Sequence, residues 1–93
     1  MAITQLEAKI IAEKYVAELG EVLPGYIFGI SEIQILNLYF YFDFILLNLE
    51  KQIPKNPPMV GGAPGIIIDK NTGKVEIISF SKLSSLVSEK SNS

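Results

Sequence analysis

The sequence predicts an α+β domain: an N-terminal helix, an antiparallel sheet of about four strands and a short C-terminal helix, with both helices on one face of the sheet. Three observations lead to this prediction. A charged segment with helical spacing opens the chain, runs rich in β-branched and aromatic residues fill its middle, and leucines at helical spacing follow a pair of serines near its end. With 93 residues, 48% of them hydrophobic, residues 1–93 are predicted to form a single domain with one core.

The first helix is predicted to begin after Thr4 and to end near Leu19. Thr4 is a suitable N-cap, Glu7 follows three residues later as in a capping box, and Gly20 stands where a left-handed C-terminal cap is common. The stripe expected to face the sheet contains four large apolar residues with two more at its margin: Leu6, Ile10, Val16 and Leu19, with Ile11 and Tyr15 beside them.

Two strands are expected next, over residues 26–36 and 37–44, the first of them weakened or bulged at Gly29. In the second strand, large apolar side chains alternate with tyrosines and polar side chains. The apolar set is predicted to face the core: Leu38, Phe40, Phe42 and Phe44. The other set is predicted to lie on the open face: Asn37, Tyr39, Tyr41 and Asp43. One long bent strand is an alternative, because neither Gly nor Pro separates the two segments. Residues 45–52 are expected to be a short helical turn or the end of that strand.

The clearest pattern is a β-hairpin that follows a proline-rich loop over residues 53–65. Asp69 can open its turn by accepting a hydrogen bond from a backbone N–H two residues on, and Gly73 can close it with a positive φ. The strand after the turn is predicted to alternate, with Val75 and Ile77 inward and Lys74 and Glu76 outward. Ser79 or Ser81 is then expected to cap the last helix, which contains Leu83, Leu86 and Val87.

Composition limits the chemistry that the chain can perform. It has no Cys and no His, so the usual thiolate and imidazole metal ligands and the commonest general base are missing. All eight cations are Lys and the net charge is −2, which argues against nucleic-acid binding. The apolar run over residues 33–49 is interrupted by polar residues and is too short for a membrane span. We therefore expect no enzyme activity, no cofactor, no metal, no membrane partner and, without a visible secretion signal, a cytoplasmic protein.

The hairpin and its approach resemble a known family. Gly61-Gly62-Ala63-Pro64, the Ile66-Ile67-Ile68 strand, Asp69-Lys70-Asn71-Thr72-Gly73 and the following Val75 are similar to the signature of the immunity protein 35 family of bacterial polymorphic-toxin systems. The layout of helix, aromatic-rich strand, loop, hairpin and capped helix is also similar. The family's middle strand usually carries a Trp, in whose place this chain offers Tyr39 or Tyr41. The resemblance implies a cytoplasmic immunity protein that binds and neutralises a cognate toxin without catalysis.

Seven residues are candidates for contact with a partner. Five are expected on the open face and two in the loop before the hairpin: Tyr39, Tyr41, Asp43, Lys74 and Glu76, and Met59 and Val60. Tyrosines are favoured as interface anchors, but cross-strand packing of the same rings explains them equally well. The alternative function is a structural or self-associating module, a homodimer joined through the open sheet face or an edge strand. A small-ligand binder is a third hypothesis, but no specific group of polar residues in the sequence indicates a ligand site.

Overall fold

The structure is a computed structural model that describes residues 2–58 and 63–91. In chain order, its elements are α1 (Gln5–Leu19), β1 (Glu21–Leu23), β2 (Tyr26–Ile30), β3 (Gln34–Ile35), β4 (Tyr39–Asn48), β5 (Gly65–Asp69), β6 (Val75–Ile78) and α2 (Phe80–Ser91). The strands form a curled sheet in the order β1-β2-β4-β5-β6, with β3 paired to β4, and every pairing is antiparallel. The predicted α+β class is confirmed, although the described residues form six strands rather than about four.

β2 and β3 are two parts of one interrupted strand that runs along β4. Ile30 pairs with Phe44 and Gln34 with Tyr41, so three residues on one strand face two on the other, which is a β-bulge. The bulge therefore lies at residues 31–33. The sequence-based prediction of a bulge at Gly29 is wrong, because Gly29 pairs regularly with Ile45. A two-residue turn then leads into β4, closed by the Leu36 N–H donating to the Tyr39 carbonyl at 2.9 Å. Leu38 sits in this turn and is 58% exposed, so its prediction as a core residue is wrong.

The two helices lie on opposite faces of the sheet, which corrects the prediction that both cover one face. We call the cluster under the first helix the α1 core: Ala8, Ala12, Phe40, Phe42, Ile66 and Ile68. The α2 core lies on the other side of the same strands, where Leu83 and Leu86 pack against Leu36, Tyr41, Ile67 and Ile78. The reason is visible in β5, whose three consecutive isoleucines are each at most 1% exposed. A strand that is apolar on both faces needs cover on both.

α1 is most deeply buried through small residues, while Ile11 and Tyr15, predicted at the margin of the inward stripe, pack half-buried against the α1 core. Its buried residues are Ala8, Ala12 and Val16, whereas Leu6, Ile10 and Leu19, predicted to be inward, are 68%, 57% and 37% exposed. Alanine lets a helix lie close to a sheet that already carries phenylalanines and isoleucines. The helix ends follow the sequence prediction. Thr4 and Glu7 form the reciprocal capping box, and Gly20 closes the helix with φ 65°.

The β5–β6 hairpin has the predicted turn. Asp69 Oδ1 accepts from the N–H of Asn71 at 2.7 Å and of Thr72 at 3.0 Å, and Gly73 has φ 76°. Of the two β6 residues predicted inward, Val75 packs against the α1 core, but Ile77 is 51% exposed. Ile77 lies on the last strand of the described sheet, so neighbouring strands surround its side chain on one side only.

α2 begins at the cap that the sequence offered. Ser79 Oγ accepts from the Lys82 N–H at 3.1 Å, and the Ser79 carbonyl accepts from the Leu83 N–H at 3.0 Å. In the described parts of the chain, neither helix has the length and hydrophobicity needed to cross a membrane.

Candidate partner-binding surfaces

The face that carries the tyrosines is not open, because α2 covers it. Tyr41 is 1% exposed and belongs to the α2 core, and Tyr39 packs against the same cluster. Their alternation with Phe40 and Phe42 was correctly inferred from the sequence, but the assumption that the helices share one face was not. The Tyr41 ring is therefore part of the core under α2, which agrees with the interpretation that it stabilises the sheet by cross-strand packing.

Tyr41 and Asp43 form a hydrogen-bonded pair at the edge of the α2 core. The Tyr41 hydroxyl donates to Asp43 Oδ1, and Gln34 Nε2 donates to Asp43 Oδ2 at 3.5 Å. The Asp43 N–H donates to Ser31 Oγ at 3.0 Å, which holds the bulge against β4. Burial, together with the hydrogen bond and charge of Asp43, raises the pKa of Tyr41 above its ordinary value. The pair therefore has a structural role in fixing the bulge and keeping the phenol protonated.

The candidates Lys74 and Glu76 lie at the surface, near α2. Lys74 and Glu76 are exposed and form an ion pair at 3.4 Å, and Lys82 of α2 is 3.9 Å from the other Glu76 oxygen. Such exposed pairs contribute little to stability. Met59 and Val60 lie outside the described residues. Whether any of the seven candidates contacts a partner stays a prediction.

Lys70 holds together the end of the sheet at which α1 begins. Its Nζ donates to the Leu36 carbonyl at 2.6 Å and the Asn37 carbonyl at 3.1 Å, and lies 5.4 Å from the centre of the Phe40 ring. Its backbone carbonyl accepts from the Ile3 N–H at 2.7 Å. Lys70 therefore supports the scaffold, although it stands in the motif that carries the family resemblance.

A groove of about 1040 Å³ runs along one side of α1, and we call it the α1 groove. The helix and β2 provide its two sides, and β4 contributes side chains along its length. Its apolar lining includes Leu6, Val16, Ile27, Ile33, Ile45 and Leu47. Gly29 also lines it, and a Cβ there would come within 2.7 Å of Leu47 Cδ1. This groove could not be predicted from the sequence, because the helical spacing of Leu6 placed it on the face expected to pack on the sheet.

The charged residues of the α1 groove stand at its exposed margin. Lys9, Glu13, Glu32 and Lys51 line it and are all exposed, whereas the isoleucines and Leu47 are half-buried. Lys51 is held in place by a tight turn in which it adopts φ 63°. In that turn Asn48 Oδ1 accepts from the N–H groups of Glu50 at 2.9 Å and Gln52 at 3.0 Å. An apolar interior with a mixed polar rim is the usual composition of a protein-binding surface.

The structure thus defines a small α+β fold in which helices cover both faces of an antiparallel sheet and an apolar groove runs along α1. Comparison with known proteins gave no match: no family model, no curated protein and no solved structure is similar to this chain at a significant level. In the described residues, no group of three or more acidic side chains is close enough together to hold a metal ion.

Proposed function

We propose that this chain is a non-enzymatic immunity protein, related to the immunity protein 35 family, that binds and neutralises a cognate bacterial toxin in the cytoplasm. The observation that carries the proposal is the α1 groove. It is concave, its interior is apolar and its margin carries charges of both signs. A protein partner with a protruding apolar side chain fits such a surface, because a desolvated apolar centre inside a polar rim is where binding energy concentrates.

An exposed apolar side chain of α1 belongs to the same surface. Leu6 lines the α1 groove and is 68% exposed, and Ile10, one turn further along the helix, is 57% exposed. Ile11 and Tyr15 of the same helix pack against the α1 core, whereas Leu6 and Ile10 stay exposed, and large apolar side chains exposed together mark interaction surfaces. We infer that these side chains are retained at the surface for contact with the toxin.

Composition and sequence resemblance support inhibition by binding instead of catalysis. The chain contains neither His nor Cys, and the hairpin motif from Asp69 to Gly73 has a role in the turn itself. The proposed mechanism is therefore occlusion: the immunity protein covers the toxin's active site or its entry route. Inhibition then depends on the complementarity of two surfaces.

The experiment is co-expression with the toxin encoded beside this chain, scored by growth and by co-purification. Leu6→Glu places a charge in the α1 groove, and because Leu6 is 68% exposed we expect the variant to fold as the wild type does. We expect this variant to lose growth rescue and to weaken binding at least about tenfold, the effect of losing an interface anchor. Leu38→Glu is the matched control, since Leu38 is 58% exposed in the β3–β4 turn, outside the groove.

Two results would contradict the proposal. Wild-type protein that neither rescues growth nor co-purifies with the toxin removes the immunity function. Rescue by Leu6→Glu that equals the wild type, together with failure of Leu38→Glu, moves the interface away from the α1 groove.

A further inference from the structure

One edge of the sheet has backbone groups available for pairing. In the described chain β6 is the last strand on its side of the sheet, and it pairs only with β5. The Asp69 N–H donates to the Lys74 carbonyl at 2.9 Å, which identifies this pair as hydrogen-bonded. Hydrogen-bonded and non-hydrogen-bonded pairs alternate along an antiparallel ladder. Val75 and Ile77 therefore direct their N–H and C=O groups away from β5, toward solvent.

We propose that β6 pairs with β6 of a second copy of this chain, joining two sheets across a two-fold axis centred on Ile77. This inference does not depend on the toxin-binding function. An isologous contact needs a surface that is complementary to itself, and an antiparallel edge meets this condition when the same residue lies at the axis. The opposite edge is less suitable, because β1 has only three residues and an irregular register.

The choice of Ile77 as the centre follows from the side chains of β6. A two-fold pairing that keeps the two faces matched can be centred on any of the four residues of β6. Centring on Glu76 places its carboxylate directly opposite its own copy, and like charges in that position are destabilising. Centring on Val75 or on Ile78 overlaps only one end residue of each strand with the other.

Centring on Ile77 removes both problems. Ile77 then exchanges its outward hydrogen bonds with its own counterpart, and Val75 lies opposite Ser79 in the same register. The Ile77 side chain, 51% exposed in the single chain, packs against the second Ile77 on the face that carries α1. Glu76 stays on the other face, close to Lys74 and Lys82 of its own chain.

A cysteine substitution tests the register directly, because the natural chain has no thiol. In the proposed dimer the two Ile77 Cα atoms are about 5.5 Å apart, the spacing of a hydrogen-bonded pair and within the range that a disulfide spans. Ile77→Cys is expected to form a disulfide-linked dimer under mild oxidation. Lys74→Cys is the matched control, with a thiol on the residue just before β6 whose copies are about 20 Å apart in this register.

Sedimentation of the protein without substituted cysteines provides the second measurement. The wild type is expected to reach twice the monomer mass with rising concentration, and Ile77→Lys to stay monomeric with an unchanged circular dichroism spectrum. Equal crosslinking of both cysteine variants, or a wild type that remains monomeric throughout, would overturn the proposal. Amide N–H groups of β6 that become protected from hydrogen exchange only when toxin is added would also overturn it, since a strand of the toxin would then pair with this edge.

Discussion

Lys70 joins parts of the chain that are far apart in sequence. The carbonyls that its Nζ contacts belong to residues 34 and 33 positions earlier, and its own carbonyl receives the N–H of Ile3. The carboxylate of the neighbouring Asp69 accepts from backbone N–H groups only two and three residues ahead. The role of Asp69 could therefore be predicted from turn chemistry alone, whereas the role of Lys70 could not, because it requires the β3–β4 turn and the hairpin to be placed together.

Asp69 also shows how local donors act on a carboxylate. The backbone N–H groups of Thr72 and Asn71 hold its pKa below the ordinary value, since they stabilise the charged form. This contribution to folding is present above the ordinary carboxyl pKa and is lost as pH falls through the depressed one.

Tyr41 gives a prediction for alkaline stability. Because its pKa is raised in the folded protein, its contribution is fully present below the ordinary tyrosine pKa of about 10 and is lost as pH rises further. We expect the melting temperature to fall above about pH 10, and to fall less steeply in Tyr41→Phe, which has no phenol to ionise there. Thermal unfolding followed across this pH range measures the effect, with Tyr26→Phe as the control for loss of another phenol. Identical slopes in Tyr41→Phe and the wild type would show that burial of this phenol does not govern the alkaline transition.

At the scale of elements, the features that depend on neighbouring residues were predicted correctly from the sequence. The hairpin, the capping box and the Ser79 cap each depend on a few neighbouring residues, and all three are present in the structure. The buried face of α1 could not be predicted in this way. Its hydrophobic pattern favoured the large residues, but the space between the helix and a sheet already filled with large side chains admits alanine. The sheet therefore decides which face of the helix packs.

Gly65 is required where the backbones of β5 and β4 approach each other closely. It pairs with Asp43 at the start of β5, and a Cβ on Gly65 would overlap the carbonyl oxygen of Phe42. The sequence predicted this glycine as the last residue of the proline-rich loop before the strand, whereas it is the first residue of β5. In the structure it allows β5 to approach β4 at the point where β4 passes the bulge.

Substitution of two glycines tests this interpretation. Gly65→Ala is expected to lower the free energy of unfolding by about 3 kcal/mol, because backbone must move to admit the methyl group. Gly29→Ala is the matched variant: its methyl group meets the end of the Leu47 side chain, which can change rotamer, so we expect a loss of about 1 kcal/mol or less. Chemical denaturation of both proteins measures the difference. Similar losses for the two variants would mean that β5 can shift as easily as a leucine side chain.

At the scale of the whole molecule, the central strands separate two cores of unequal character. The α1 core contains two phenylalanines, two alanines and two isoleucines, whereas the α2 core is covered by two half-buried leucines of the C-terminal helix. Sequence alternation correctly assigned Phe40 and Tyr41 to different faces. It could not show that a helix covers each face, because that depends on the direction in which the chain leaves β6.

The unequal cores predict unequal local stability. We expect Leu83→Ala combined with Leu86→Ala to weaken the docking of α2 by about 2–3 kcal/mol, a modest sum because both side chains are only half-buried. Amide hydrogen exchange should then speed up in α2 while protection in α1 is retained. Ser85→Ala, on the exposed side of the same helix, is the control. An equal increase in exchange across both helices would show that the two cores unfold as one unit.

The position of β5 in the chain also determines when the two cores can form during synthesis. Ile66 and Ile68 complete the α1 core and Ile67 completes the α2 core, yet the strand begins only at Gly65. The N-terminal helix, although made first, has no finished surface to pack on until most of the polypeptide exists. Because closure waits for contacts between distant residues, folding is expected to be slow relative to that of a helical bundle of the same size. A ribosome that stops before β5 therefore releases a chain lacking the central strand of both cores.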